Sequence, residues 1–303
     1  MTPVALGMLA LLLTWPVPEL LGRARWPMRV PRAAIVLWQA LALAAVLAAL
    51  GAGLSLGMNV LLQPDRGAVA IVLHSLVTLL TCMVFVRLVW ATVKVAVRTR
   101  ARRRHHRMLV DLLATPGRRV HHGDLVVPGI RVLSENTPFA YCLPSVRESR
   151  VVVSSGTLDQ LEPEELRAVL SHELAHLRAR HDLVLEAFTA LREAFPRWVR
   201  SRTALEQGHL LIEMLADDAA RRRVGAPPVA RALVALASTP SAPTGGLAAG
   251  GVGTLARVRR LAMPSESHRA LALATYLAAG GLVVVPTVTL AIPWLSGLAE
   301  LLR

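Results

Sequence analysis

His172-Glu173-Leu174-Ala175-His176 lies within a run whose apolar residues, Leu166, Val169, Leu170, Leu174 and Leu177, recur at helical spacing behind Pro163, Glu164 and Glu165. Proline at a first helical position and acidic residues in a first turn are start signals, so the spacing predicts a helix over roughly 163–180. At about 3.6 residues per turn, the two histidines share one face. Both imidazoles can therefore grip one metal ion, and Glu173 beside them can take a proton from an attacking water without being a ligand. With ten histidines in 303 residues, such a pattern arises by accident in about one chain per hundred. The motif and its helical setting together point to a hydrolytic metal centre.

A hydrolytic zinc site needs three protein ligands and an open position, so a third ligand must come from elsewhere. Glu213 opens the stretch Glu213-Met214-Leu215-Ala216-Asp217, where two carboxylates again stand four apart on a predicted helix. Glu213 is the expected third ligand. Asp217 is placed to accept the free ring N–H of His172 or His176, as a carboxylate commonly does behind a zinc-bound imidazole. A set of two histidines and one glutamate favours zinc among common metals.

At 54% hydrophobic residues and a mean hydropathy of +0.49, the chain is too apolar for an ordinary soluble protein. Four runs are long enough to cross a lipid bilayer: about 2–21, 33–58, 67–86 extending toward 97, and 270–290. No basic residue precedes the first run and no small-residue cleavage site follows it, so it reads as a retained helix and not a signal peptide. Arg23, Arg25, Arg29 and Arg32 follow span one, whereas Arg66, beside Asp65, is the only basic residue between spans two and three. Arg98 to Arg107 follow span three, and Arg257, Arg259, Arg260 and Arg269 precede span four. By the positive-inside rule, the segment between spans three and four is cytoplasmic and both termini are outside. A net charge of +14 and a pI near 11.5 then reflect arginines flanking membrane spans, and direct binding of nucleic acid is not expected.

Three parts are expected: three transmembrane helices in 1–98, a compact α+β domain in 99–267, and a fourth transmembrane helix with a short tail in 268–303. Strands are predicted at 129–133, 139–142 and 150–154, with helices at 182–198 and 209–224. The Gly-rich 241–253 reads as a flexible linker. Cys82 and Cys142 fall in different layers, belong to no metal-spaced cluster, and read as small buried apolar residues. The pairs His105–His106 and His121–His122 diverge in direction and read as solvated. His74 reads as a hydrogen-bonded histidine within span three, and His181–Asp182 as a local structural pair.

The order His-Glu-x-x-His then Glu-x-x-Ala-Asp resembles the gluzincin membrane peptidases. Within them, Arg150 to Leu158, Leu161 to Leu166 and Val169 to Asp182 look like the BlaR/MecR-type antirepressor membrane zinc metallopeptidases; an HtpX-like quality-control protease is the other branch. The resemblance runs from about Val132 to Ala220. It implies an α-helical membrane protein with an α+β gluzincin-type zinc domain inserted between transmembrane helices 3 and 4. One Zn2+ per chain would be bound by His172, His176 and Glu213, with Glu173 as general base and Asp217 orienting a ligand. It further implies a multi-pass protein of the bacterial cell membrane that cleaves itself or a winged-helix transcriptional repressor in its cytoplasm. The well-known members carry an extracellular β-lactam sensor after their last span, and this chain reads as a short form without it. Pro138 to Tyr141 is the candidate edge strand for receiving a substrate backbone, an ordinary sheet strand being the plainer alternative. His209, Tyr141 or an arginine could each supply an oxyanion donor. A catalytically idle membrane scaffold is the alternative of a different class, against which Glu173 argues, since a structural zinc site has no use for a general base.

Overall fold

The structure, a computed structural model, describes residues 2–62, 67–117, 127, 129–145, 148–195, 203–237, 247–248, 253–264 and 266–301. It divides into two compact units, Met1–Val93 with Phe188–Gln207 and His268–Arg303, and Lys94–Ala187 with Gly208–Ser267.

The first unit contains α1 (Thr2–Thr14), α2 (Pro16–Arg23), a 3-10 turn (Trp26–Arg29), α3 (Pro31–Leu62), the beginning of α4 (Ala68–Leu113) and, at the end of the chain, α11 (Arg269–Leu301). Pro16 starts α2 at its first position, where a missing N–H costs nothing, and so divides the first apolar run at Trp15. Stretches of four helices are long and apolar enough to cross a membrane: Pro3–Arg23, Pro31–Gly57, Ala68–Leu113 and Arg269–Thr289. These match the four expected runs. The third runs further than expected, however, continuing to Leu113 as a 46-residue helix, about 69 Å long at the standard rise. Neither glycine nor proline interrupts it, and arginine is a good helix former, so the basic stretch prolongs the helix until Pro116 and Gly117.

Small residues set the packing of α3 on α4. A Cβ on Gly53 would collide with Thr81 Oγ1, and one on Gly57 would come within 2.5 Å of Thr78 Oγ1. Both threonine hydroxyls donate back to carbonyls of their own helix, at 2.8 and 2.9 Å, which leaves no polar group unpaired at the contact. His74 likewise bonds Ala70 O through Nδ1 at 2.6 Å. Cys82, expected to be buried, is exposed on α4.

The second unit is built on a five-stranded sheet of order β1-β2-β4-β3-β5. Its strands are β1 (Thr115–Pro116), β2 (Ile130–Leu133), β3 (Ala140–Leu143), β4 (Arg150–Ser154) and β5 (Leu247–Ala248). β2 runs parallel to β4, and β3 antiparallel to it with Tyr141 opposite Val152. Val151, Val152 and Val153 are all fully buried because the sheet is covered on both faces. Ala140, Cys142, Val151 and Val153 pack on α6 (Pro163–Ala179) and α9 (Ala226–Ala237). Tyr141, Leu143 and Val152 pack on Val110 and Ala114 at the end of α4. The expected strands are found to within one residue.

The remaining helices are α5 (Ser155–Gln160), α7 (His181–Ala194), α8 (Thr203–Val224) and α10 (Thr254–Ala262). Ala168, Ala220, Val229, Leu233 and Leu261 join α6, α8, α9 and α10 in a second core. Two expectations change. Leu247 and Ala248, assigned to a linker, pair with Cys142 and Tyr141, so β3 is not a free edge at those residues. The rest of 241–252, His121 and His122 lie outside the described residues.

Candidate metal centre

α6 carries the motif on a well-anchored frame. Its N-terminus is closed by a capping box between Glu162 and Glu165, and Arg231 Nε donates to Glu165 Oε1 at 2.7 Å. Leu166, Val169, Leu170 and Leu174 go to the sheet, which leaves His172, Glu173 and His176 to point elsewhere. α8, buried through Leu211, Ile212, Met214, Ala216 and Ala220, brings Glu213 and Asp217 to meet them.

His172, His176 and Glu213 converge, each offering one ligand atom within 4.8 Å of the others. The two Nε2 atoms are 3.1 Å apart, His172 Nε2 is 3.3 Å from Glu213 Oε2, and His176 Nε2 is 3.4 Å from Glu213 Oε1. Tetrahedral zinc with bonds of about 2.0–2.1 Å sets its ligand atoms about 3.3 Å apart. The three side chains are close enough together to hold such an ion. Charge fits as well once His172 is neutral and Glu173 ionised: the buried carboxylates of Glu173, Glu213 and Asp217 then stand with one buried guanidinium, Arg257, leaving two negative charges for a dication.

The surroundings prepare the imidazoles. His172 Nδ1 is 3.0 Å from Asp217 Oδ1, one of the two pairings the sequence allowed, and it leaves Nε2 free to face Glu213. Against burial, which would lower it, Asp217 and Glu213 raise the His172 pKa to about 9. Burial lowers His176 to about 3, so that ring is neutral, the form that binds metal. Glu213, despite burial, is held at about 2 by His176 and His172.

Glu173 is 0% exposed, and among the described residues neither of its carboxylate oxygens has a nitrogen or oxygen hydrogen-bond partner, only the weakly donating Cys142 thiol beside it. Burial, and Glu213 in the same direction, raise its pKa to about 7, which suits a group that takes and returns a proton at neutral pH. Cys142 lies against it from β3, and burial first, then the Glu173 charge, push the thiol well above its ordinary range. Cys142 is thus an inert wall of the site, as a buried apolar residue.

Four residues stand differently from their reading in the sequence. His181, read as part of a local pair, places Nδ1 3.1 Å from His176 Nδ1. The chain returns there because Arg180 ends α6 in the left-handed conformation, φ 49°, held by its fork onto Asp182 at 3.1 and 3.3 Å. Arg257, read as a membrane-flanking charge, is fully buried and forks Asp217 through Nε and Nη2 at 2.7 Å each. Tyr141 points to the α4 face and bonds His106 Nε2 at 2.9 Å. It is therefore no oxyanion donor, and His106 is not a solvated residue. His209, one turn before Glu213 on α8, is half-buried, and burial lowers its pKa.

Residues 99–199 match the model of Peptidase family M48. The matched stretch contains His172, Glu173 and His176, and it stops before Glu213, Asp217 and Arg257. M48 is a family of metallopeptidases. Protease HtpX homolog 2 of Methanosarcina mazei and that of Methanosarcina acetivorans are each 38% identical over 63 residues, 20% of this chain and 21% of the relative. The chain thus spans about a fifth of the length of the curated relatives it matches. No solved structure matches it.

Proposed function

We propose that this chain is an integral membrane, zinc-dependent endopeptidase whose M48 domain is inserted between the third and fourth transmembrane helices and works in the cytoplasm. The observation that carries the reading is the convergence of His172, His176 and Glu213 beside a buried Glu173 carboxylate with no nitrogen or oxygen partner among the described residues. A zinc ion bound by those three residues would polarise both the attacking water and the scissile carbonyl. Glu173 takes the proton of that water and delivers it to the departing amine. Asp217 keeps His172 in the tautomer that presents Nε2, and His181 does the same for His176. An idle scaffold has no need to bury a carboxylate without a nitrogen or oxygen hydrogen-bond partner at such a cost.

For the substrate, two readings of the same chemistry are supported by different observations. Similarity to the HtpX homologs supports clearance of damaged membrane proteins. The resemblance of 150–182 to the antirepressor peptidases supports regulated cleavage of a winged-helix transcriptional repressor, or of the chain itself. The arginines flanking the spans support a cytoplasmic site with both termini outside.

The test is proteolysis in cells, comparing wild type with Glu173→Ala at matched expression and zinc content. The chain itself, an adjacently encoded repressor and a misfolded membrane reporter are followed together. Loss of cleavage of any of them in the variant supports the peptidase and identifies the substrate. Fragments that persist unchanged in Glu173→Ala contradict it.

A further inference from the structure

Arg257 is 0% exposed although it carries a guanidinium. Among the described residues, its guanidinium reaches two carboxylates that serve the metal site, Asp217 and Glu213. Nε and Nη2 donate to Asp217 Oδ2 and Oδ1 at 2.7 Å each, and Asp217 Oδ1 is the atom 3.0 Å from His172 Nδ1. Nη1 stands 3.0 Å from Glu213 Oε2 in an ion pair. One planar cation therefore touches the third ligand directly and the first ligand through a carboxylate.

From this geometry we infer that Arg257 is a positioning residue that fixes two of the three zinc ligands, Glu213 and, through Asp217, His172. The inference rests on the zinc reading of the site. Removing Arg257 frees the Asp217 carboxylate to rotate away from His172 and takes away the cation that bridges Asp217 and Glu213. Lysine keeps the charge but is a single point donor, and it cannot reproduce the fork onto Asp217 while also reaching Glu213.

The fold contains its own control. α10 is tied to α8 twice, by Arg257 onto Asp217 and by Arg260 onto the adjacent Asp218, at 2.7 and 2.9 Å. Arg260 and Asp218 are partly exposed and pair with each other. If Arg257 only holds α10 in place, the two arginines should be interchangeable in effect.

The experiment is zinc affinity by chelator competition on the full chain in lipid nanodiscs. Wild type is compared with Arg257→Gln, Arg257→Lys and Arg260→Gln, and thermal unfolding is recorded for each. Partners behind metal ligands are typically worth 10–100-fold in affinity. The expected result is a loss of about that size in Arg257→Gln, a smaller loss in Arg257→Lys, and less than about threefold change in Arg260→Gln. Should Arg257→Gln fail to fold, the folded Arg257→Lys decides by the same comparison with Arg260→Gln. Wild-type affinity in a folded Arg257 variant, or equal losses in the Arg257 and Arg260 variants, overturns the inference and leaves the peptidase reading intact. A wild-type chain that takes up no zinc overturns both.

Discussion

His181 Nδ1 lies 3.1 Å from His176 Nδ1, across the left-handed turn at Arg180 that ends the metal helix. When His176 ligates through Nε2, its Nδ1 must carry the proton, so it donates and His181 accepts. Burial lowers the His181 pKa to about 4, which keeps that acceptor lone pair free at neutral pH. His181→Phe, which fills the space without accepting, should weaken zinc binding about 10–100-fold while leaving far-UV circular dichroism unchanged. Wild-type affinity in the folded variant would remove His181 from the site.

Zinc should expel a proton. The metal-free His172 is held charged at pH 7 by Asp217 and Glu213, which outweigh burial and raise its pKa to about 9, and a ligand imidazole must be neutral. Binding at pH 7 is expected to release about one proton per chain, read by titration calorimetry in buffers of different ionisation enthalpy. Release should vanish in Asp217→Asn, where the main support of the charge is gone.

The buried Glu173 carboxylate costs stability once ionised. Burial raises its pKa from 4.5 to about 7, so between those values the folded metal-free protein binds more protons than the unfolded chain, and stability falls as pH rises through that window. Glu173→Gln should therefore stabilise the metal-free protein above pH 7, by up to about 3 kcal/mol, and give no gain near pH 4.5. A gain independent of pH would assign the effect to packing instead.

In the first unit, Gly53 and Gly57 permit the approach of α3 to Thr81 and Thr78 of α4. Gly53→Leu forces the helices apart and should cost about 1–3 kcal/mol, seen as a lower unfolding temperature in detergent. Gly7, whose Cβ position is open, should tolerate the same change.

The elements legible in the sequence were those with a strong local signal. The spacing of Leu166, Val169, Leu170 and Leu174 gave α6 to within a residue, and the β-branched run Val151 to Val153 gave β4. Glu213 and Asp217 stood out in the sequence because both stand on one helix at ligand spacing. Arg257 and His181 escaped for a tertiary reason. Arg257 looked like one more basic residue before a membrane span, and its burial depends on α10 docking forty residues after Asp217. The one available cue was charge matching, Arg257 and Arg260 one turn apart against Asp217 and Asp218. His181 is brought back by a left-handed arginine, a conformation that neither composition nor periodicity announces. β5 pairs through two residues, too short a run to distinguish from the Gly-rich sequence around it.

The most direct test combines metal content with peptide hydrolysis on the purified chain in nanodiscs. Wild type, Glu173→Gln and His176→Ala would be assayed for bound zinc and for cleavage of an unfolded protein substrate. The account predicts one zinc per chain and cleavage in wild type, one zinc and no cleavage in Glu173→Gln, and neither in His176→Ala. Cleavage retained in Glu173→Gln, or zinc retained at full stoichiometry and affinity in His176→Ala, would contradict the assignment of this site as the peptidase centre.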